Sequence, residues 1–167
     1  MKPVSRFLML AVALAAMSPA AAGAQGATVA FGGIKTDRTL PVEVTADQLT
    51  VNQTDATAIF TGNVIVIQGD LRIAAAAIRV EYDKDDRTRI DRIHATGGVT
   101  LTSPTEAAEG REALYDVASG EVVMTGEVLL TQGGSTVAGQ KLVIDLGTGT
   151  GRMDGRVRTV ISPKAQQ

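Results

Sequence analysis

The chain has few side chains of the kinds that catalyse reactions or bind metals. His94 is the only histidine and the sequence has no cysteine, so His94 has no second imidazole and no thiolate to complete a metal site or a nucleophile–base pair. We therefore predict that His94 is an outward-facing strand residue. No metal site and no cofactor are expected.

An acidic run from Asp83 to Asp86 resembles a fragment of a calcium loop. It lacks the glycine at the sixth position and the closing glutamate of such loops. It also falls between two predicted strands, where aspartate is an ordinary turn residue. We expect a turn here and no calcium site.

Three glutamates, Glu106, Glu109 and Glu112, follow one another at short spacing. Alternation along a strand predicts that they are exposed, and none has the partner acid that glycoside hydrolysis requires. The glycine-rich stretch 147–151 has the wrong spacing for a dinucleotide fingerprint and is interpreted as a hairpin loop. The sequence thus predicts no catalytic residues, and an exported lipid-modifying enzyme is the weakest of the alternatives.

The first 24 residues have the pattern of a secretory signal peptide. Lys2 and Arg6 precede an eleven-residue apolar stretch, and residues 22–24 are small, as a signal peptidase requires. That stretch is shorter than the roughly 20 residues needed to span a bilayer, so we expect cleavage after about Ala24 and export. The remaining chain has 14 basic and 18 acidic residues, a net charge of −4, which argues against nucleic acid as a partner.

A short turn ending in glycine runs into an apolar strand four times, at Gly62, Gly97, Gly126 and Gly155, with spacings of 35, 29 and 29 residues. Such a period is typical of an architecture that stacks one supersecondary unit. Each unit has strands with alternating apolar residues. Within a unit the inward-facing residues change from odd-numbered to even-numbered positions next to a small residue, as between Ala75 and Ile78. Such a change predicts a bulge or sharp bend in the strand.

These features predict an all-β, open-ended roll of short antiparallel strands. We assign residues 1–24 to the signal peptide, 25–40 to a flexible lead-in, 41–161 to the β domain and 162–167 to a disordered tail. Because large aromatic rings are scarce (3% of residues), the inward aliphatic residues could leave a slot suited to acyl chains. The predicted lining is Val64, Val66, Ile73, Val80, Val99, Leu101, Tyr115, Val128 and Leu130.

The string from Phe60 to Gly69, FTGNVIVIQG, together with 71–75 and the earlier 44–47, resembles the signature of the LptA/OstA-like domain family. The resemblance covers about residues 41–161. It implies a twisted, open-ended β-jellyroll in the periplasm that carries lipopolysaccharide, with the lipid A acyl chains inside, from an inner-membrane export complex to an outer-membrane translocon. One departure is Ala76, where the family usually has aspartate, as at Asp47.

The resemblance also implies head-to-tail self-association through strands at the open ends. The predicted edge residues are Val42, Val44, Leu49, Val51, Val157, Val160 and Ile161. Two other interpretations remain open at this point: an exported structural or adhesive β-repeat protein with a dry core, and an anchored inner-membrane relative of the same family.

Overall fold

The computed structural model describes the backbone of residues 27–30 and the whole of residues 39–162. Eleven strands fill most of this part of the chain: β1 (Ala27–Ala30), β2 (Glu43–Thr45), β3 (Gln48–Asn52), β4 (Thr57–Gln68), β5 (Leu71–Tyr82), β6 (Ile90–Thr102), β7 (Glu106–Asp116), β8 (Glu121–Gln132), β9 (Ser135–Asp145), β10 (Thr150–Asp154) and β11 (Arg158–Val160). The prediction of an all-β fold is confirmed. Among the described residues no helix is long and apolar enough to cross a membrane. The predicted signal peptide and residues 163–167 lie outside the described part.

The strands form one antiparallel sheet in which each of β4 to β9 pairs with its neighbours in the chain. The pairing register shifts in the middle of every long strand, for example between Thr61 and Val64 and between Thr125 and Val128. These shifts lie at the small residues that mark the parity changes, and the inward side moves from Ala75 to Ile78 as expected, both being buried. The bends divide the sheet into two walls.

The first wall contains β2, β11 and residues 64–68, 71–74, 99–102, 106–109, 128–132 and 135–138; the second contains β1, β3, β10 and residues 57–61, 77–82, 90–96, 112–116, 121–125 and 141–145. A single row of corners joins the walls. The buried apolar side chains of both walls form one cluster between them. The molecule is therefore a folded sheet with a closed corner side, an opposite side bordered by turns, and two ends.

The corners require a left-handed backbone. Gly97 and Gly98 have φ values of +83° and +87°, and a Cβ on Gly97 would stand 2.7 Å from the Cβ of Ala76. Only glycine adopts this conformation without strain and leaves that room. This explains why the repeat is most visible in the sequence as recurring glycines.

Strand β1 differs from the prediction. Residues Ala27–Ala30 pair with β10, with Ala27 opposite Met153 and Ala30 opposite Thr150. The expectation of a flexible lead-in over 25–40 is therefore wrong for these four residues. These four residues show no apolar alternation, and their partner strand β10 lies near the other end of the chain. The local sequence pattern therefore could not identify β1 as a strand.

Candidate functional site

All nine predicted lining residues face the space between the walls. Each is no more than 3% exposed. They come from both walls, with Val66 and Leu101 in the first and Val80 in the second, and apart from Tyr115 they are aliphatic. The structure thus brings them together into one continuous apolar interior.

Two buried polar side chains connect the walls on the side opposite the corners. The Tyr115 hydroxyl, from the second wall, donates to Oε1 of Gln68 in the first wall at 3.3 Å. The Gln68 amide in turn donates to the carbonyl oxygen of Leu40 at 3.1 Å. Because Gln68 and Tyr115 are 3% and 2% exposed, this contact stands between the interior and solvent along the turn side.

At the end that carries β2 and β3 there is an apolar hollow of about 310 Å³, which we call the mouth. It is lined by Leu49, Val51, Asn52, Gln53, Ala56, Thr57, Ala58, Phe60, Tyr82 and Arg87. The Leu49 side chain lies beside Phe60 in the register. It is 56% exposed because it stands at the edge of the second wall. The mouth borders the buried apolar cluster, because Ala58 belongs to that cluster and Phe60 and Tyr82 pack against it.

The edge residues fall into two groups. Leu49, Val51, Val160 and Ile161 are exposed large apolar side chains at the two ends. Val42, Val44 and Val157 are partly buried and pack against the core. The exposed group therefore offers apolar surface to a partner, whereas the second group supports the end strands from inside.

The acidic run forms a turn, as expected. Backbone N–H groups of Asp86 and Asp85 donate to the Asp83 carboxylate, which also pairs with Arg89, and together they hold the pKa of Asp83 below its usual value. The Thr88 hydroxyl and N–H do the same for the pKa of Asp86. These carboxylates stabilise the turn between β5 and β6. Within residues 39–162 no cluster of three or more potential metal ligands is present.

His94 lies on the outer face, as predicted, because its neighbours Ile93 and Ala95 are buried. Its Nε2 is 3.5 Å from a carboxylate oxygen of Glu112, and both side chains are about half exposed. The pair bridges two neighbouring strands of the second wall and has the character of an ordinary surface contact.

The prediction for Glu106 is wrong. Glu109 and Glu112 are exposed, but Glu106 is 4% exposed and faces inward. The three glutamates span the corner of β7, where the inward parity changes, so simple alternation fails across them. A signal was present in the repeat itself: a shift of 35 residues places Glu106 on the inward Leu71.

The departure at Ala76 has a structural counterpart. At the first corner Asp47 accepts a hydrogen bond from the Asn63 amide at 2.9 Å, and at a later corner Arg111 pairs with Glu127. The residue equivalent to Asn63 in the next repeat is Gly98, which has no side chain to bond. The missing aspartate and the missing amide thus occur together in one repeat, and the interior lining is unaffected.

Comparisons with known proteins agree with this architecture. Residues 43–150 match the family model described as LptA/(LptD N-terminal domain) LPS transport protein. An uncharacterized protein of Rhizobium meliloti is 28% identical over 98% of this chain and 94% of its own length. The lipopolysaccharide export system protein LptH of Pseudomonas aeruginosa is 26% identical over 83% of this chain and 91% of its own.

The fold is also similar to a solved structure. The crystal structure of LptH, described as the LptA-homologous periplasmic component of the lipopolysaccharide transport device of Pseudomonas aeruginosa, superposes with a TM-score of 0.69. The match is 22% identical and covers 77% of this chain and 99% of that one. At this identity the likeness bears on the fold, and the predicted β-jellyroll is confirmed.

Proposed function

The chain belongs to the LptA/LptD N-terminal domain family of lipopolysaccharide transport proteins, and from this we propose that it is a periplasmic carrier within a head-to-tail bridge. In this proposal the two walls hold the acyl chains of lipopolysaccharide while the sugars stay in water. Its partners are the inner-membrane export complex, the outer-membrane translocon and further copies of the chain. The periplasmic placement rests on the similarity to LptH, a periplasmic component, and on the predicted signal peptide.

The observation that carries the proposal is the aliphatic interior between the walls, with an apolar hollow at its border at one end. Each buried methylene of an acyl chain contributes about 0.8 kcal/mol, so several chains supply ample gross affinity without polar anchors along the walls. Binding requires the walls to part, and the Tyr115–Gln68 hydrogen bond is a contact that must then open. A mostly aliphatic lining also allows sliding, because few hydrogen bonds break as the lipid moves.

The strand edges support assembly. Within the described residues β2 and β3 pair only with β4, and β11 pairs only with β9, so their other edges are available to extend the sheet into a second copy. Exposed apolar residues stand beside both sets of edges: Leu49 and Val51 at one end, Val160 and Ile161 at the other. Two unlike surfaces of this kind generate a head-to-tail chain.

Native mass spectrometry of residues 25–167, with and without lipopolysaccharide, tests the carrier function. We expect a saturable adduct of lipid mass that free lipid A competes away. A folded protein without such an adduct would overturn the proposal and favour a structural β-repeat protein with a dry core.

A pair of neighbouring substitutions tests the lining. Val99→Asp places a charge in the interior and is expected to abolish the adduct, whereas Thr100→Asp, on the outer face of the same strand, is expected to leave it unchanged. Because Val99 is 2% exposed, a buried charge also threatens folding, so circular dichroism must accompany the measurement. Val99→Thr is the milder second variant and should weaken binding several-fold in a folded protein. Undiminished binding by a folded Val99→Asp protein would refute the lining.

A further inference from the structure

One carboxylate in the interior has an unsatisfied oxygen. The Glu106 side chain is 4% exposed. Its Oε1 accepts a hydrogen bond from the Gln132 amide on the neighbouring strand β8. Its Oε2 is buried and finds no hydrogen-bond partner among the described residues. A buried acceptor left in this state is costly and calls for an explanation.

Glu106 stands where the apolar interior meets the turn side. It is the first residue of β7, and Ala108, the next inward residue of that strand, is fully buried and pairs with Leu101 of the lining. The carboxylate therefore lies at the border of the interior, with aliphatic side chains on one side and the turn between β6 and β7 on the other. A chain held between the walls would pass from apolar to polar surroundings at this level.

The chemistry of a single carboxylate limits what it can bind. A divalent cation such as calcium needs six to eight oxygen ligands, and the described residues hold no cluster of potential metal ligands. A neutral hydrogen-bond donor, in contrast, requires one acceptor oxygen. An amide N–H or a hydroxyl at the head of an acyl chain is such a donor.

We propose that Glu106 Oε2 accepts a hydrogen bond from the amide N–H that joins an acyl chain to its sugar headgroup. Glu106 is then a binding residue that fixes how deep the chain enters. This inference rests on the proposed carrier function. The positions equivalent to Glu106 in the other repeats are Leu71 and Ser135, so the carboxylate provides one anchoring point in a lining that otherwise permits sliding.

The test uses two neutral probes that differ in one donor: N-tetradecanoyl glucosamine, which has an amide N–H at the head of its chain, and the matching tetradecanoyl glucose ester, which lacks it. Binding of each is measured by calorimetry on residues 25–167. The native protein should prefer the amide by about tenfold, the order expected for a hydrogen bond to a charged group. Glu106→Met, of similar size, should reduce the preference to less than about twofold while binding the ester at least as well.

Glu109→Met is the matched control, since Glu109 lies on the same strand and is exposed; it should keep the full preference. If Glu106→Met fails to fold, Glu106→Gln replaces it and should still lose most of the preference. A preference that persists in a folded Glu106 variant, or is absent from the native protein, would overturn this inference and leave the carrier function standing. If the folded native protein binds neither probe and no lipopolysaccharide, the carrier function itself fails.

Discussion

The two ends of the roll differ in how their strand edges are finished. At the β2/β3 end both walls stop at bare strands, and Leu49 and Val51 are 56% and 60% exposed. At the other end the first wall stops at bare β11, but β10 of the second wall is paired with β1 of the same chain. Both ends therefore offer two strand edges among the described residues, but at the second end the outermost strand of the second wall is β1, which comes from the beginning of the chain and not from the adjoining hairpin.

The largest expected effect comes from charging each end separately. Leu49→Lys with Val51→Lys, or Val160→Lys with Ile161→Lys, should prevent self-association at concentrations where the native protein assembles. Lysine protects a strand edge from pairing with another chain, and each lost apolar contact costs about 1.5–3 kcal/mol of binding free energy. Two such losses weaken the affinity between copies by more than about a hundredfold. Sedimentation velocity measures the outcome.

Mixing the two variants then distinguishes the geometry. In a head-to-tail assembly each variant keeps one good end, so the mixture should form a heterodimer and no longer species. Leu129→Lys, an exposed apolar residue on the outer face of the middle of the wall, is the control and should assemble normally. A mixture that stays monomeric would show that the two ends do not meet each other.

A smaller effect is expected from removing β1. A chain that begins at residue 31 loses the edge of β1 and presents that of β10, which a short turn joins to its partner β9. Because a neighbour then pairs with a better anchored strand, this chain should self-associate more tightly than a chain that begins at residue 25, by up to about tenfold. Concentration-dependent light scattering compares the two. Equal or weaker association of the shorter chain would mean that β1 contributes to the contact between two copies and does not hinder it.

The smallest effect is expected at the first corner. Asp47→Ala removes the hydrogen bond to Asn63, which is exposed and contributes about 0.5–1 kcal/mol. Hydrogen exchange should therefore become faster in β2 and β3 but remain unchanged at the distant β11. Asp70→Ala, in an exposed turn, is the control. Faster exchange over the whole domain would contradict a local role for this corner.

The repeating features of the molecule could be predicted from the sequence, whereas features that occur in one repeat only could not. Val99 and Leu101 were predicted inward because alternation holds within each half-strand, and both are buried. The predicted exposure of Glu106 is wrong because it carries the alternation of the second half of β7 across the corner between Glu109 and Glu112. The cross-wall contact of Tyr115 with Gln68 could not be foreseen, since it depends on how the walls face each other over 47 residues of chain.

The unequal repeat spacing has a consequence for length. The six extra residues of the longer repeat lie between Tyr82 and Gly97, in the turn 83–89 and the start of β6, so they widen one side without displacing the next corner. Each repeat still adds two strands, or about 10 Å along the axis. The length of the molecule along its axis therefore depends on the number of hairpins. Insertions in the turns change its width and leave this length unchanged.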